Sequence, residues 1–155
     1  MIRIAIADEQ HWLPIDRVQI RRAVRTALHF GKIKDAEISV ALVEDEAIHQ
    51  VNRQFLGHDY ATDVISFPLS ESDERLEGEL VISTETAVRV AQKIRQHCET
   101  WDAVGELMLY LTHGTLHLVG LDDHAPEDIL AMRNAEAECL EKLGIPFDEG
   151  ARIRS

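Results

Sequence analysis

The 155-residue chain has only two cysteines and no long apolar run. Cys98 and Cys139 form no CxxC pair, which argues against a disulfide framework and predicts two reduced thiols that are not metal ligands. No segment approaches the roughly 20 apolar residues that span a bilayer, and the N-terminus has no signal-peptide core. Repeats and linkers are missing too. We therefore expect one cytoplasmic domain, residues 1–155, with no membrane association.

Positive charge is also scarce. The chain has 16 Lys and Arg against 28 Asp and Glu, a formal net charge of -12, and such an excess ordinarily argues against a nucleic-acid partner. The arginines are nevertheless clustered, because Arg17, Arg21 and Arg25 recur every fourth residue with Arg22 beside them. This spacing predicts a basic stripe on one helix, which is either a nucleic-acid contact or an ordinary solvated face.

Hydrophobic periodicity predicts an α+β fold, in which a four-stranded mixed sheet is layered against about five helices. Polar residues 70–77 are expected to form a mobile surface loop. The predicted strands are 2–7, 37–43, a short strand that follows a loop from Asp59 and ends at Pro68, and 78–83. The predicted helices run from just after Pro14 to Phe30, from Asp45 to Phe55, from Thr84 to Cys98, from 103 to 118, and from Pro126 to Gly144. Thr84 is the predicted cap of the third helix, and Thr100 or Asp102 that of the fourth.

The most informative stretch is residues 113–124, HGTLHLVGLDDH. If residues 103–118 are helical, His113 and His117 lie one turn apart on one face and can bind the same ion. Gly120 then ends the helix, and the returning chain can bring His124, or a carboxylate beside it, to the third ligand position. Two helical histidines, a glycine and a third ligand are similar to the metzincin zinc pattern.

One residue of that pattern is missing. Zinc proteases carry a glutamate base directly after the first histidine, whereas this chain has Gly114, so peptide hydrolysis is disfavoured. Imidazole ligands favour zinc over magnesium, with nickel or another transition metal as an alternative. Three protein ligands leave a fourth position for a water whose pKa falls to about 7. The same ion can polarise a phosphoryl oxygen. Beyond the metal-bound water, the sequence assigns no catalytic group.

Two motifs together resemble the YbeY family of rRNA maturation factors. They are residues 113–120 with the Asp-His that closes the histidine stretch, and residues 62–68, TDVISFP, in the same order and separation. Residues 52–59 and the strand 78–83, GELVIS, look like further family segments. The resemblance covers most of the chain from the second predicted strand onward.

The resemblance implies an α+β fold with one zinc ion per chain, bound by three histidines. It also implies a single-strand-specific endoribonuclease that acts on ribosomal RNA in rRNA maturation and ribosome quality control, with the small ribosomal subunit or an assembly GTPase as possible partners. His113 and His117 match the first two ligands. The family separates its second and third histidines by five residues, and six intervene here, so strict register places Asp123 at the third position. His124 is favoured on the expectation that the turn absorbs the extra residue, with Asp123 as the alternative.

Two departures bear on substrate binding. The family's arginine aligns with Leu56, which leaves Arg53, one turn earlier, as the candidate RNA contact, and Glu79 replaces an aspartate. His58, Asp63 and Ser66 are lower-ranked candidates for shaping the cleft. These departures and the acidic charge keep a second hypothesis open, namely a ribosome-assembly binding protein in which the metal is mainly structural and catalysis is weak.

Overall fold

The computed structural model describes residues 1–58, 62–70 and 75–147, which form four strands and five helices. The strands are β1 (Ile2–Asp8), β2 (Ala36–Val43), β3 (Val64–Pro68) and β4 (Leu76–Ser83). The helices are α1 (Arg17–Phe30), α2 (Asp45–Leu56), α3 (Thr84–Ile94), α4 (Ala103–Leu118) and α5 (Pro126–Lys142). The predicted α+β class is confirmed.

Two helices begin differently from the prediction. α1 begins at Arg17 instead of just after Pro14, because the side chain of Asp16 accepts hydrogen bonds from two backbone N–H groups of the first turn. α3 is capped by Ser83 and not by Thr84, since the Ser83 hydroxyl accepts a backbone N–H of that turn at 3.1 Å. In both cases a short polar side chain satisfies N–H groups that the helix itself cannot pair.

Other boundaries moved by a few residues. β4 begins at Leu76, so the predicted loop at 70–77 is shorter than expected, and its residues 71–74 lie outside the described residues. The predicted loop before β3 also lies partly outside them, at residues 59–61. α3 ends at Ile94 and α5 at Lys142, each before the predicted end.

The sheet has the strand order β1-β2-β4-β3. β1, β2 and β4 are parallel, whereas β3 runs antiparallel to β4, so the sheet is mixed as predicted. Ser66 lies opposite Leu80, and Ile65 lies opposite Val81. Because side chains alternate along a strand, the first pair points to one face of the sheet and the second pair to the other.

α4 is the central helix of the larger core. Every residue from Gly105 to Thr112 is buried, and the helix packs against α1, α3 and α5 and against β3 and β4. The opposite face of the sheet is covered by α2, whose Ile48 packs with Ile65 and Val81. β3 is thus held between α4 and α2, which places its residues beside the histidines of α4.

The arginine stripe of α1 covers an edge of the sheet. Arg17 and Arg21 donate to the backbone oxygens of Ile6 and Ile4 on the edge strand β1, at 3.1 and 3.2 Å. Arg22 donates to a backbone oxygen at the end of α5, at 3.0 Å. These contacts give the stripe a structural role, since unpaired edge carbonyls are otherwise open to pairing with another chain.

α2 is tied to its neighbours by the carboxylate of Asp45. It accepts hydrogen bonds from Ser83 at 2.6 Å, from Thr86 at 2.5 Å and from Arg89 at 2.7 Å. Burial alone would raise the pKa of Asp45, but these three hydrogen bonds together outweigh it and lower the pKa below the ordinary value of 3.8. The charged carboxylate therefore stabilises the packing of α2 on the sheet.

Cys98 and Cys139 are both free thiols, as predicted. Burial raises the pKa of Cys139 to about 11, so this thiol stays protonated at neutral pH and is a poor metal ligand. Within the described ranges, no helix has both the length and the apolar character needed to cross a membrane.

Candidate metal centre

His113 and His117 lie side by side on α4, with their Nε2 atoms 3.0 Å apart. The helix begins at Ala103 because Asp102 caps it, its Oδ1 accepting the backbone N–H of Gly105 at 2.8 Å. Each histidine side chain is partly buried, with 19% and 29% of its surface exposed. The helical period therefore brings both imidazoles to one point at the edge of the core.

The chain turns back immediately after α4. Gly120 has a φ of +108°, a conformation that residues with a side chain rarely adopt. The turn brings Asp123 to the histidine pair, where its Oδ2 lies 3.6 Å from Nε2 of His113 and 3.5 Å from Nε2 of His117. One carboxylate and two imidazoles thus converge as a possible metal-binding group.

His124 is not a member of the group formed by His113, His117 and Asp123. Its side chain is 87% exposed, and its Nε2 is 3.3 Å from a carboxylate oxygen of Asp122. The structure therefore brings Asp123, the alternative ligand from the sequence, to the histidine pair, while His124 faces solvent.

Hydrogen bonds on the far side of each ring determine which nitrogen carries the proton. Nδ1 of His117 is 3.0 Å from the carbonyl oxygen of Leu121, which can only accept, so this Nδ1 carries the hydrogen. Nδ1 of His113 is 3.2 Å from a carboxylate oxygen of Glu136, which favours the same tautomer. In the neutral rings, both Nε2 lone pairs then face each other and Asp123, an arrangement that favours a cation between them.

The donor set fits a single ion. Its three ligand atoms are separated by 3.0, 3.5 and 3.6 Å. Zinc bonds of about 2.0–2.1 Å to tetrahedral ligands hold the ligand atoms about 3.3–3.4 Å apart, close to these separations. Neutral imidazole and carboxylate are also ligands that zinc accepts.

Gly114 lets α4 pack closely on the sheet. A Cβ at this position would lie 3.0 Å from Leu80 Cδ2, 3.0 Å from Val64 Cγ2 and 3.1 Å from Ser66 Oγ. The Ser66 hydroxyl also donates to the carbonyl of Gly114 at 2.9 Å. An added side chain would therefore first meet atoms of β3 and β4, and two of the residues it meets, Val64 and Ser66, also line a cleft with both histidines.

A cleft of about 380 Å³ opens beside the histidines. It is bounded by α2, by β3 and the residues before it, and by α4, and the candidates His58, Asp63 and Ser66 all line it. Asp63 also serves the backbone, since its carboxylate accepts the N–H of Val64 at 2.8 Å. The structure therefore brings these lower-ranked candidates to the same cleft as the histidine pair.

The sequence profile of the family described as Endoribonuclease YbeY matches residues 5–144, which is most of the chain. The chain belongs to the YbeY endoribonuclease family. The matched residues include both sequence motifs and all three members of the possible metal-binding group.

Three relatives named Endoribonuclease YbeY show how far the similarity extends. The Rhodopirellula baltica protein is 41% identical over 129 residues, which are 83% of this chain and 65% of the relative. The Anaeromyxobacter protein is 47% identical over 123 residues, 77% of this chain and 59% of the relative. The Syntrophus aciditrophicus protein is 37% identical over 153 residues, 94% of this chain and 92% of the relative. The chain thus spans less than two thirds of the first two relatives.

A solved structure has a similar fold. The solution structure of a Thermotoga maritima protein matches with a TM-score of 0.59 at 25% identity, covering 92% of this chain and 91% of that one.

One position of this YbeY-family chain gives the cleft an apolar wall. Leu56, where the resemblance predicts an arginine, is 47% exposed and lines the cleft together with Asn52. Arg53, the proposed stand-in, is exposed on the same helix. The cleft therefore has an apolar surface where a cation was expected.

Sequence reasoning missed Glu136. This residue lies on α5 and lines a second cavity of about 270 Å³, which His113 and Asp123 also line. A signal was available, because Glu136 falls on the apolar face of α5 between Met132 and Leu140. A charged residue at a buried helical position is unusual unless it has a partner.

Proposed function

We propose that the protein is a zinc-dependent endoribonuclease that cuts single-stranded ribosomal RNA in rRNA maturation and ribosome quality control. One observation carries the proposal, namely the convergence of two imidazole Nε2 atoms and a carboxylate beside an open cleft. The family and the names of its relatives support RNA as the substrate class.

We further propose that His113, His117 and Asp123 hold one zinc ion per chain. Asp123 is preferred to His124 because its carboxylate already lies within 3.6 Å of both Nε2 atoms, whereas His124 is 87% exposed. His124 belongs instead to a second, more exposed group with Asp122 and Asp123, whose ligand atoms lie within 4.8 Å of one another. A carboxylate oxygen binds zinc at about the same distance as an imidazole nitrogen. A site with Asp123 in place of the third histidine therefore still has three protein ligands.

A zinc ion in such a site supplies a water whose pKa is lowered to about 7 and Lewis-acid polarisation of a phosphoryl oxygen. The residues of this chain hold and orient the ligands and shape the access. The ligand side chains are only 19–29% exposed, so the scissile phosphate has to enter the cleft. A flexible single strand enters a recessed site more readily than a rigid duplex, which is consistent with single-strand specificity.

Electrostatics suggest how RNA reaches the cleft. The net charge of -12 disfavours long-range attraction of RNA. Arg53 is the proposed contact on α2, and delivery by the small ribosomal subunit or an assembly GTPase would reduce the need for a basic surface. Such partners imply that the protein works in the cytoplasm.

The test uses full-length protein of verified zinc content on single-stranded and hairpin RNAs of rRNA sequence. Wild type is expected to cut the single-stranded RNA, and His113→Ala is expected to lose both zinc and cleavage. His97→Ala, which changes an exposed histidine near the end of α3, is the matched control and should behave as wild type. Equal cleavage by wild type and His113→Ala would identify a contaminating nuclease and refute the proposal.

Leu56 favours one alternative, a ribosome-assembly binding protein with a mainly structural metal. An apolar side chain that is 47% exposed in the cleft suits contact with another macromolecule better than contact with phosphate. This alternative predicts that zinc-loaded wild type binds ribosomal subunits without cutting RNA, and that His113→Ala lowers the melting temperature.

A further inference from the structure

Glu136 is an ionisable side chain on the otherwise apolar buried face of α5. Its exposure is 0%, and the other buried residues on its face of α5 are Met132, Ala135, Cys139 and Leu140. Burying a carboxylate is costly, so an apolar residue of similar size would pack here with a smaller penalty. The presence of a glutamate therefore requires specific partners.

The side chains of His113 and Arg133 are the partners of the Glu136 carboxylate. Oε2 of Glu136 lies 3.2 Å from Nδ1 of His113 and 2.7 Å from Nη1 of Arg133, and the same Nη1 also contacts the other carboxylate oxygen. Arg133 is one turn earlier on α5, and its side chain is 36% exposed. An Arg-Glu pair at this helical spacing forms equally well on a surface. The buried position is explained by His113, not by Arg133.

We propose that Glu136 is a positioning residue for the metal ligand His113, and that Arg133 holds Glu136 in place. This inference rests on the proposed metal site. By accepting the Nδ1 hydrogen, the carboxylate keeps the Nε2 lone pair of His113 available and fixes the plane of the ring. It also makes the imidazole a stronger ligand, because a hydrogen bond to a carboxylate increases the electron density of the ring.

The two histidines differ in how they are oriented. Nδ1 of His117 donates to the backbone carbonyl of Leu121, a partner that no side-chain substitution removes. His113 depends instead on a side chain 23 residues away on another helix. Arg133 engages both oxygens of Glu136 and so holds the carboxylate against the ring of His113. The affinity of the site for metal is therefore set partly by α5.

The experiment titrates metal-free, full-length protein with Zn²⁺ in competition with a chromophoric chelator. Glu136→Gln is expected to bind zinc about 10–100-fold more weakly than wild type, the usual effect of losing a carboxylate that supports a metal-bound histidine. Glu138→Gln is the matched control on the same helix. Glu138 is 54% exposed, and its ion pair with Lys142 is long, at 3.8 Å, and open to solvent. This control should bind zinc within about twofold of wild type.

A purely structural role predicts the opposite pattern. Glu136→Gln would then lower the melting temperature of the metal-free protein and leave zinc affinity unchanged, whereas positioning predicts weaker zinc binding without that loss. Should the single variant not fold, Glu136→Gln combined with Arg133→Gln also removes the cation that faces Glu136, and this double variant is expected to show the same loss of about 10–100-fold.

Long-range ¹H–¹⁵N spectra of the metal-free protein give a second readout. Wild-type His113 should carry its hydrogen on Nδ1, and Glu136→Met should populate both tautomers. Zinc binding by Glu136→Gln within twofold of wild type, or an unchanged tautomer in Glu136→Met, overturns the inference alone. Failure of wild type to bind zinc overturns the metal site and the inference together, which separates the two cases.

Discussion

Gly114 offers a quantitative test of why this site lacks a protease's glutamate. A Cβ at position 114 would lie 3.0 Å from both Leu80 and Val64, and Leu80 is fully buried. Overpacking of this kind costs about 1–3 kcal/mol, while replacing a helical glycine by alanine gains about 1 kcal/mol. Gly114→Ala should therefore be destabilised by about 0–2 kcal/mol, which lowers the melting temperature by up to about 8 °C for a chain of this size.

Gly114→Glu creates the HExxH pattern of zinc proteases and should be far more damaging. Its longer side chain enters the interface between α4 and the sheet, and burying its carboxylate costs several kcal/mol more. The total is a large part of the about 5–15 kcal/mol that stabilises a typical domain. We expect this variant to be unfolded or to melt at least about 10 °C below wild type, with no activity on casein.

Thermal unfolding followed by circular dichroism measures both variants. Gly105→Ala in the same helix is the matched control, because its added Cβ meets ring atoms of Trp101 at 3.3 Å instead of three groups at 3.0–3.1 Å. Its melting temperature should fall less than that of Gly114→Ala. A Gly114→Glu protein that melts like wild type and hydrolyses casein when loaded with zinc would refute the reasoning, since its side chain would then have reached the metal.

Three further predictions address the ligands, α2 and the cleft. Asp123→Ala should weaken zinc binding by more than about tenfold and His124→Ala by less than about twofold, and the reverse order in a chelator competition would make His124 the third ligand. The lowered pKa of Asp45 contributes stability that is present above pH 3.8 and is lost as the pH falls through the folded-state pKa. Urea unfolding should therefore show a deficit in Asp45→Asn at pH 7 that shrinks below pH 4, and a deficit independent of pH would contradict this. Leu56→Arg should bind single-stranded RNA more tightly, with a salt dependence steeper by about 0.7 in log–log slope, whereas an unchanged slope would place position 56 away from phosphate.

The histidine pair was predictable because it depends only on the local helical period. Residues 103–118 were predicted as a helix and form α4, and the spacing of four between His113 and His117 places them on one face whatever surrounds them. The strands were predictable for the same reason, since alternation along β1 and β2 records which face is buried. Caps were less certain, because Ser83 and Thr84 are both competent and only the backbone path selects one.

The sequence by itself determined the α+β class, the family and the two helical imidazoles, because period and motif are local properties. Only the tertiary structure decided which side chain lies beside those imidazoles. Asp123 and His124 are adjacent in the chain, and the turn at Gly120 directs the first inward and the second to solvent. The contact of Glu136 with His113 likewise requires α5 to pack on α4, and long-range packing of this kind leaves no mark in the local spacing of residues.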